Sequence, residues 1–247
     1  MAKSTVKTRA IVLHTIKYGD SSLVVKMFTE DAGMQSFMVK GVYGKKSKMK
    51  AAMFQNMTLL EIVADVGNDS LGFVKELSLS HCYKTIPFDI KKTTILIFIS
   101  ELLSKSISES ETDTELFNFI YDSMIWLDVA ASDYANFPLF FSMQLSKYLG
   151  FFPNIDTYSE GLCFDLLDGN FKKWNNDIYQ IDAELSKIFF LISQQSLLKD
   201  TYTDSAITRL YDLNSRRKLL DAIVTYYKLH ADNVREIKSV EVLREVF

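Results

Sequence analysis

The chain has 247 residues, 48% hydrophobic and 13% aromatic, with a net charge of −3. It is too apolar for a disordered chain, and its length suits one large or two small domains. Two cysteines exclude both a disulfide framework and a four-cysteine zinc site.

The small net charge hides an asymmetry. Residues 1–84 hold 12 Lys and Arg against 7 Asp and Glu; residues 85–247 hold 16 against 24. A basic module fused to an acidic body points to a polyanion as partner of the first part. The N-terminus lacks the apolar core of a secretory signal, and the longest apolar run, near 93–99, ends at Ser100 and Glu101. The expected setting is reducing and cytoplasmic.

Five strands are expected first, over residues 5–17, 23–29, 34–42, 57–66 and 70–80. They are separated by turn-forming segments such as Tyr18-Gly-Asp-Ser21 and Glu30-Asp-Ala-Gly33. A polar, basic loop, residues 41–50, follows the third. Five short strands with one long loop suggest a small antiparallel barrel, of which the OB-fold is the usual form. After Pro87 the period becomes helical. Residues 90–106 read as a buried helix. Thr112-Asp-Thr-Glu115 reads as a capping box opening a second helix with Leu116, Ile120, Met124 and Leu127 inward, and 134–150 reads as a third. Residues 151–181 break the pattern and read as a hairpin. Residues 182–196, 204–214 and 215–230 are helical again, with Leu219, Ile223, Tyr226, Tyr227 and His230 on one face of the last. The fold class is therefore α+β: an OB-fold domain over 1–84 and a mostly helical domain over 85–247, interrupted by the 151–181 insert.

Catalytic motifs are missing, and no enzyme activity is expected. Gly41…Gly44-Lys45-Lys46-Ser47 has two residues between its glycines where a Walker loop needs four. His14, His81 and His230 fall in three separate elements, and Glu109-Ser-Glu111 suits a solvated connection.

The positive signal is a lysine cluster: Lys40, Lys45, Lys46, Lys48 and Lys50, with Tyr43 among them. Ammonium groups neutralise phosphates and release counterions, and an aromatic ring offers a base a stacking face. By composition alone, a solvated surface loop fits equally well. Arg209, Arg216, Arg217 and Lys218 form a second basic cluster; there, ordinary helix surface or pairing with Asp212 and Asp221 is the stronger reading.

A resemblance changes that balance. Arg9-Ala-Ile-Val-Leu-His14, Tyr18-Gly-Asp-Ser-Ser-Leu23, Phe28-Thr-Glu-Asp-Ala-Gly33, Val39-Lys-Gly41 and Lys45-Lys-Ser-Lys-Met-Lys-Ala-Ala-Met-Phe-Gln55 follow one another as in the opening of the RecO family of recombination mediators. Glu101-Leu-Leu103, the segment 145–153 and Ile237-Lys-Ser239 with Leu243 extend it sparsely to the end. The resemblance implies an OB-fold followed by a helical domain, and binding of single- and double-stranded DNA through Lys40, Lys45, Lys46, Lys48 and Lys50. It further implies annealing of strands coated by single-stranded-DNA-binding protein (SSB), contact with that protein's acidic C-terminal tail, and work with RecR in loading RecA. The tail's receptor should pair an apolar pocket with a cation; Lys91, Lys105 and Lys147 are the cations near apolar helix faces.

The sequence departs from the family pattern in two places. Many members carry four cysteines in the insert and bind zinc there. Only Cys163 stands in 151–181, so a metal-free hairpin packed by Phe164, Leu166, Phe171 and Trp174 is expected, with no cofactor. A glycine-containing turn of relatives is here Leu229-His-Ala-Asp-Asn-Val234. The competing readings are an OB-fold protein-interaction module without annealing activity, a nuclease, and a stand-alone single-strand-binding protein.

Overall fold

A computed structural model describes residues 4–44, 49–67, 70–107, 112–132, 134–195 and 212–246. The first five strands are β1 (Ser4–Tyr18), β2 (Ser22–Thr29), β3 (Gly33–Val39), β4 (Leu59–Gly67) and β5 (Ser70–Leu79). They close into a barrel in the order β1-β2-β3-β5-β4, antiparallel throughout except for a short parallel pairing of β3 with β5. This is the OB-like barrel expected from the sequence. β1 is long enough to pair with β2 on one side and β4 on the other, and a bulge between Val12 and His14 lets it bend.

Two expected strand ends move. β3 stops at Val39, because Gly41 turns the chain at φ 71° and sends Val42 into the barrel, where its N–H donates to the Ser21 carbonyl at 2.9 Å. β4 starts at Leu59 rather than at 57: Met57 is fully buried at φ 64°, its N–H on the Val12 carbonyl. Between them a 3-10 turn, Ala51–Phe54, plugs Phe54 into the barrel interior.

Closure depends on one close approach. A Cβ on Gly72 would lie 2.7 Å from both the Asp65 carbonyl oxygen and the Phe37 ring, where β5 meets β3. Only hydrogen fits there.

The helices are α1 (Ile90–Ser106), α2 (Thr114–Val129), α3 (Phe137–Tyr148), α4 (Ala183–Ser193), α5 (Leu213–His230) and α6 (Ser239–Val246). α2 is capped by Asp113, whose carboxylate accepts from Leu116 N at 2.8 Å. The capping box expected at Thr112 is therefore shifted by one residue. Residues 134–136 are a 3-10 turn, and α3 proper begins at Phe137. α6, a short amphipathic helix, has no counterpart in the expected elements. Its first N–H groups, Lys238 and Ser239, are capped by Glu101 of α1 at 3.1 and 2.8 Å. The helix expected over 204–214 lies outside the described residues up to its last three.

The insert is a two-stranded hairpin, β6 (Cys163–Asp165) with β7 (Asn170–Lys172). Phe164, Leu166 and Phe171 are buried, and Phe164 stacks on Phe189 of α4 at 4.3 Å. Trp174 is 53% exposed, so it does not pack the hairpin as expected. The local donor set does not fit a structural zinc ion: Cys163 is buried, and burial together with Asp182 pushes its thiol up. Among the described residues no three His, Cys, Asp or Glu side chains gather as metal ligands.

Two hydrophobic clusters result. One fills the barrel, with Ala10, Val12, Val25, Phe37, Leu60 and Ile62. The other runs through the helices and includes Ile11, Leu13, Phe28, Met34, Met57 and Leu59 from the barrel's outside. Both faces of β1 are thus buried at residues 10–13, because the barrel sits directly on the helical body. Arg9 seals the edge of this junction. It forms a two-bond pair with Glu30, at 2.8 and 2.6 Å, donates to Asn118 of α2 at 2.7 Å, and lies over the Phe117 and Tyr121 rings.

The connection from barrel to helices is held by a buried carboxylate. Asp128, at the end of α2, accepts from the backbone N–H groups of Lys84, Thr85 and Ile86 and lies 3.2 Å from His81 Nε2. Burial pushes its pKa up, but these donors outweigh it and hold the carboxyl at about 2. Beside it, buried Lys92 donates to Thr85 Oγ1 and to the carbonyls of Asp128 and Ala130.

Two outcomes are expected. Gly72→Ala should lower stability by about 1–3 kcal/mol, read as a lower Tm in calorimetry; an unchanged Tm would mean that the β3–β5 closure yields freely. Asp128→Ala should cost about 3 kcal/mol at pH 7. Because the folded pKa is depressed, that stabilisation is complete above the unfolded value near 4 and is lost as pH falls towards 2. Wild type and variant should therefore converge on acidification in denaturant titrations. A gap that persists to pH 2 would assign the cost to packing instead.

Candidate nucleic-acid interface

The basic segment of the barrel does not spread its cations evenly. Along β1, β4 and β5 they are paired: Lys7 with Glu61 at 3.0 Å, Lys75 with Asp65 at 2.6 Å, and Arg9 with Glu30. At the other end of β1 and β3 the cations meet rings. Lys17 Nζ lies 5.6 Å from the Tyr43 ring centroid, and Lys40 Nζ lies 5.3 Å from that of Phe73. Lys50 Nζ donates to the Gly44 carbonyl at 3.1 Å, which brings the far end of the loop back to its start. Val42, hydrogen-bonded to Ser21, ties the loop to the β1–β2 turn.

Of the sequence candidates, Lys40, Tyr43 and Lys50 therefore share one rim of the barrel. Tyr43 is 50% exposed, so a ring face is available to a partner. Lys45, Lys46 and Lys48 lie outside the described residues. Sequence reasoning missed Lys17, Tyr18 and Phe73 at this rim. Lys17 and Tyr18 end β1, and Phe73 is far away in sequence; strand pairing alone brings them together.

The second cluster is built differently from its expectation. Asp221 pairs with Arg244 of α6, and Asp212 caps α5 through Ser215 N at 2.8 Å. Arg216 donates to Asn136 Oδ1 at 2.7 Å, and Arg217 to the Arg244 carbonyl at 2.8 Å. These three arginines rim a shallow depression enclosing about 20 Å³, floored by Pro138, Leu139, Leu220 and Leu243. Lys218 is exposed nearby, and Arg209 lies outside the described residues.

The other expected cations fare less well. Lys105 is engaged by Glu101 at 2.6 Å and by the Glu236 carbonyl. Burial raises the Glu101 pKa, but Lys105 and the α6 N–H groups outweigh it and bring it to about 2. Lys147 lines a broad polar groove that also holds Asp113 and Glu115. Lys91 is exposed in the first turn of α1.

The histidines serve structure or surface. His81 faces Asp128, His230 Nε2 lies 2.8 Å from the Leu166 carbonyl, and His14 is exposed on β1. No described helix is long and apolar enough to cross a membrane.

Comparisons with known proteins agree on one family. The model described as "Recombination protein O N terminal" matches residues 1–83, and that described as "Recombination protein O C terminal" matches residues 87–172. The chain is 34% identical over 244 residues to the DNA repair protein RecO of Bacteroides fragilis, covering 98% of both chains. It is 36% identical to the DNA repair protein RecO of Flavobacterium psychrophilum, covering 98% of this chain and 99% of the relative. With that of Christiangramia forsetii it shares 34% over 247 residues. With matching models over residues 1–83 and 87–172 and relatives of this similarity along nearly its whole length, the chain belongs to the RecO family.

Proposed function

We propose that this protein is a DNA-binding recombination mediator that acts in DNA repair without making or breaking covalent bonds. Residues 1–84 are the DNA-binding unit, and residues 85–247 are the helical unit that addresses protein partners. The observation that carries the reading is the rim where Lys17, Lys40 and Lys50 gather with Tyr43 and Phe73 in a chain of this family. Annealing two strands requires lower repulsion between polyanions while base edges stay free, and lysines on phosphates supply that. The partners of this reading are single- and double-stranded DNA, SSB, RecR and the RecA-loading step.

The arginine-rimmed depression between α3, α5 and α6 is the receptor we assign to the SSB tail. An acidic peptide end with an apolar side chain needs cations around an apolar floor, and Arg216 and Arg217 stand over Leu139 and Leu220. The groove beside Lys147 suits it less, because Asp113 and Glu115 would repel the tail.

Three measurements test this. Replacing Lys40, Lys45, Lys46, Lys48 and Lys50 by alanine should weaken DNA binding and flatten the plot of log affinity against log salt by roughly one unit per lost phosphate contact. An unchanged slope would remove the loop from the interface. Complementary oligonucleotides precoated with SSB should anneal faster with the protein present, and less so as salt rises. No acceleration by folded protein at any salt would favour a protein-interaction barrel. Arg216→Ala with Arg217→Ala should lower affinity for an SSB C-terminal peptide about tenfold in fluorescence anisotropy, with DNA affinity intact. Equal peptide binding would exclude the depression.

A further inference from the structure

Three helices build the arginine-rimmed depression. α3 gives Pro138 and Leu139, α5 gives Arg216, Arg217 and Leu220, and α6 gives Leu243 and Arg244. Its three arginines are engaged differently. Arg216 donates to the side-chain oxygen of Asn136 and Arg217 to the Arg244 carbonyl, both uncharged acceptors. Arg244 faces two carboxylates. Its Nε lies 3.1 Å from Asp221 Oδ1, its Nη2 bonds the same oxygen, and its Nη1 lies 2.8 Å from Glu241 Oε1. Each guanidinium nitrogen of Arg244 is thus taken by a carboxylate of the chain itself.

The two carboxylates belong to the rim by sequence position. Asp221 directly follows Leu220 of the floor on α5, and Glu241 stands three residues before Arg244 on α6. Hydrogen bonding and charge from Asp221 raise the Arg244 pKa against partial burial, and Glu241 adds to the effect. All three groups nevertheless reach water: their side chains are 33%, 47% and 76% exposed for Arg244, Asp221 and Glu241. Ion pairs at such exposure hold weakly. The seat of α6 does not depend on them alone, because Glu101 caps its start and Val240 and Leu243 are buried.

We propose that Asp221 and Glu241 are resident stand-ins for the carboxylates of an acidic peptide end, occupying Arg244 until the peptide displaces them. The proposal rests on the assignment of this depression to the SSB tail and adds a control on how tightly the tail is held. Arg216 and Arg217 supply attraction, whereas Arg244 is reached only by exchange of one carboxylate for another. Each charge-assisted hydrogen bond that the tail gains at Arg244 is offset by an internal one lost. Affinity is thereby kept below what three arginines could give, and the tail stays exchangeable. The other role open to the Arg244–Asp221 pair is a staple that only fastens α6 to α5. The two roles differ in sign: losing a staple loosens the receptor, and losing a stand-in uncovers a cation.

The test uses the full chain and a fluorescent peptide with the SSB C-terminal sequence, measured by anisotropy at fixed salt. Asp221→Asn with Glu241→Gln keeps shape and removes charge, and should raise peptide affinity about tenfold. Arg244→Gln should change wild-type affinity by about twofold or less, yet abolish the gain in the double variant. That non-additivity marks Arg244 as the group uncovered. Glu245→Gln, on an exposed carboxylate of the same helix, should leave affinity within about twofold. A peptide whose side-chain carboxylates are replaced by amides should not gain. Circular dichroism and Tm verify folding; if the double variant does not fold, Glu241→Gln alone decides, with a smaller gain expected. Unchanged or reduced affinity would overturn the stand-in and leave the staple. A gain that survives Arg244→Gln, or that Glu245→Gln or the amide peptide shares, would overturn it and assign the effect to general electrostatics. The receptor reading fails separately, if Arg216→Ala with Arg217→Ala leaves peptide binding unchanged. Should that pair weaken binding while Asp221→Asn with Glu241→Gln does not strengthen it, the stand-in alone has failed.

Discussion

The barrel's seat on the helical body governs everything else in this molecule. Ile11, Leu13, Phe28 and Met34 leave the barrel's outer face and join the helical core, so one sector of the barrel wall becomes an internal interface. Burial of such side chains contributes about 1.5–3 kcal/mol each, and four consecutive buried residues in β1 are its visible trace. Once that sector is fixed, the remaining outer rows and the loop-bearing rim are what the barrel can offer a ligand. Arg9 illustrates the consequence: a cation in a basic domain is taken up by Glu30, Asn118 and two rings at the junction, and so contributes to cohesion rather than to the exposed charge of the rim.

Charge follows the same partition. Near the middle of the sheet, carboxylates on β4 and the β2–β3 turn neutralise Lys7, Lys75 and Arg9. At the far rim the partners of Lys17 and Lys40 are aromatic faces, which attract a cation without cancelling its charge. Lys17, Lys40 and Lys50 thus gather at one rim of a chain whose net charge is negative. Long-range steering of a polyanion requires that concentration, not the net charge. In the helical body Lys105 is held by an ion pair and Lys92 by backbone carbonyls, while Arg216, Arg217 and Arg244 gather at the depression between α3, α5 and α6.

Asp128 gives the two parts a defined relation. Three backbone N–H groups in the segment between barrel and α1 converge on one buried carboxylate, and Lys92 donates hydrogen bonds to the neighbouring carbonyls of Asp128 and Ala130. A flexible tether would let the barrel and the helices drift; this one is a hydrogen-bonded corner. The rim and the arginine depression are accordingly held on one body.

Much of this was legible in the sequence, because it depends on local pattern. Val, Ile and Thr runs between glycine turns announce five strands, and the change of period after Pro87 announces helices. The lysine cluster and the single cysteine of 151–181 are read directly from the sequence. What the sequence could not show depends on contacts between distant residues. Trp174 is exposed although its neighbours Phe164 and Phe171 are buried, because hydrophobicity does not say which side of a hairpin meets α4. Val42 leaves its strand to fill the barrel interior and Met57 leaves its own to join the helical core, not because their own propensities require it. Ile16, Val24, Met38 and Phe73 are scattered over 57 positions, and only strand register, set by pairing of β3 with β5, puts them in one row. Sequence determines which segments become strands and which carry charge; tertiary structure decides which faces remain open, since a face is buried only by what packs against it.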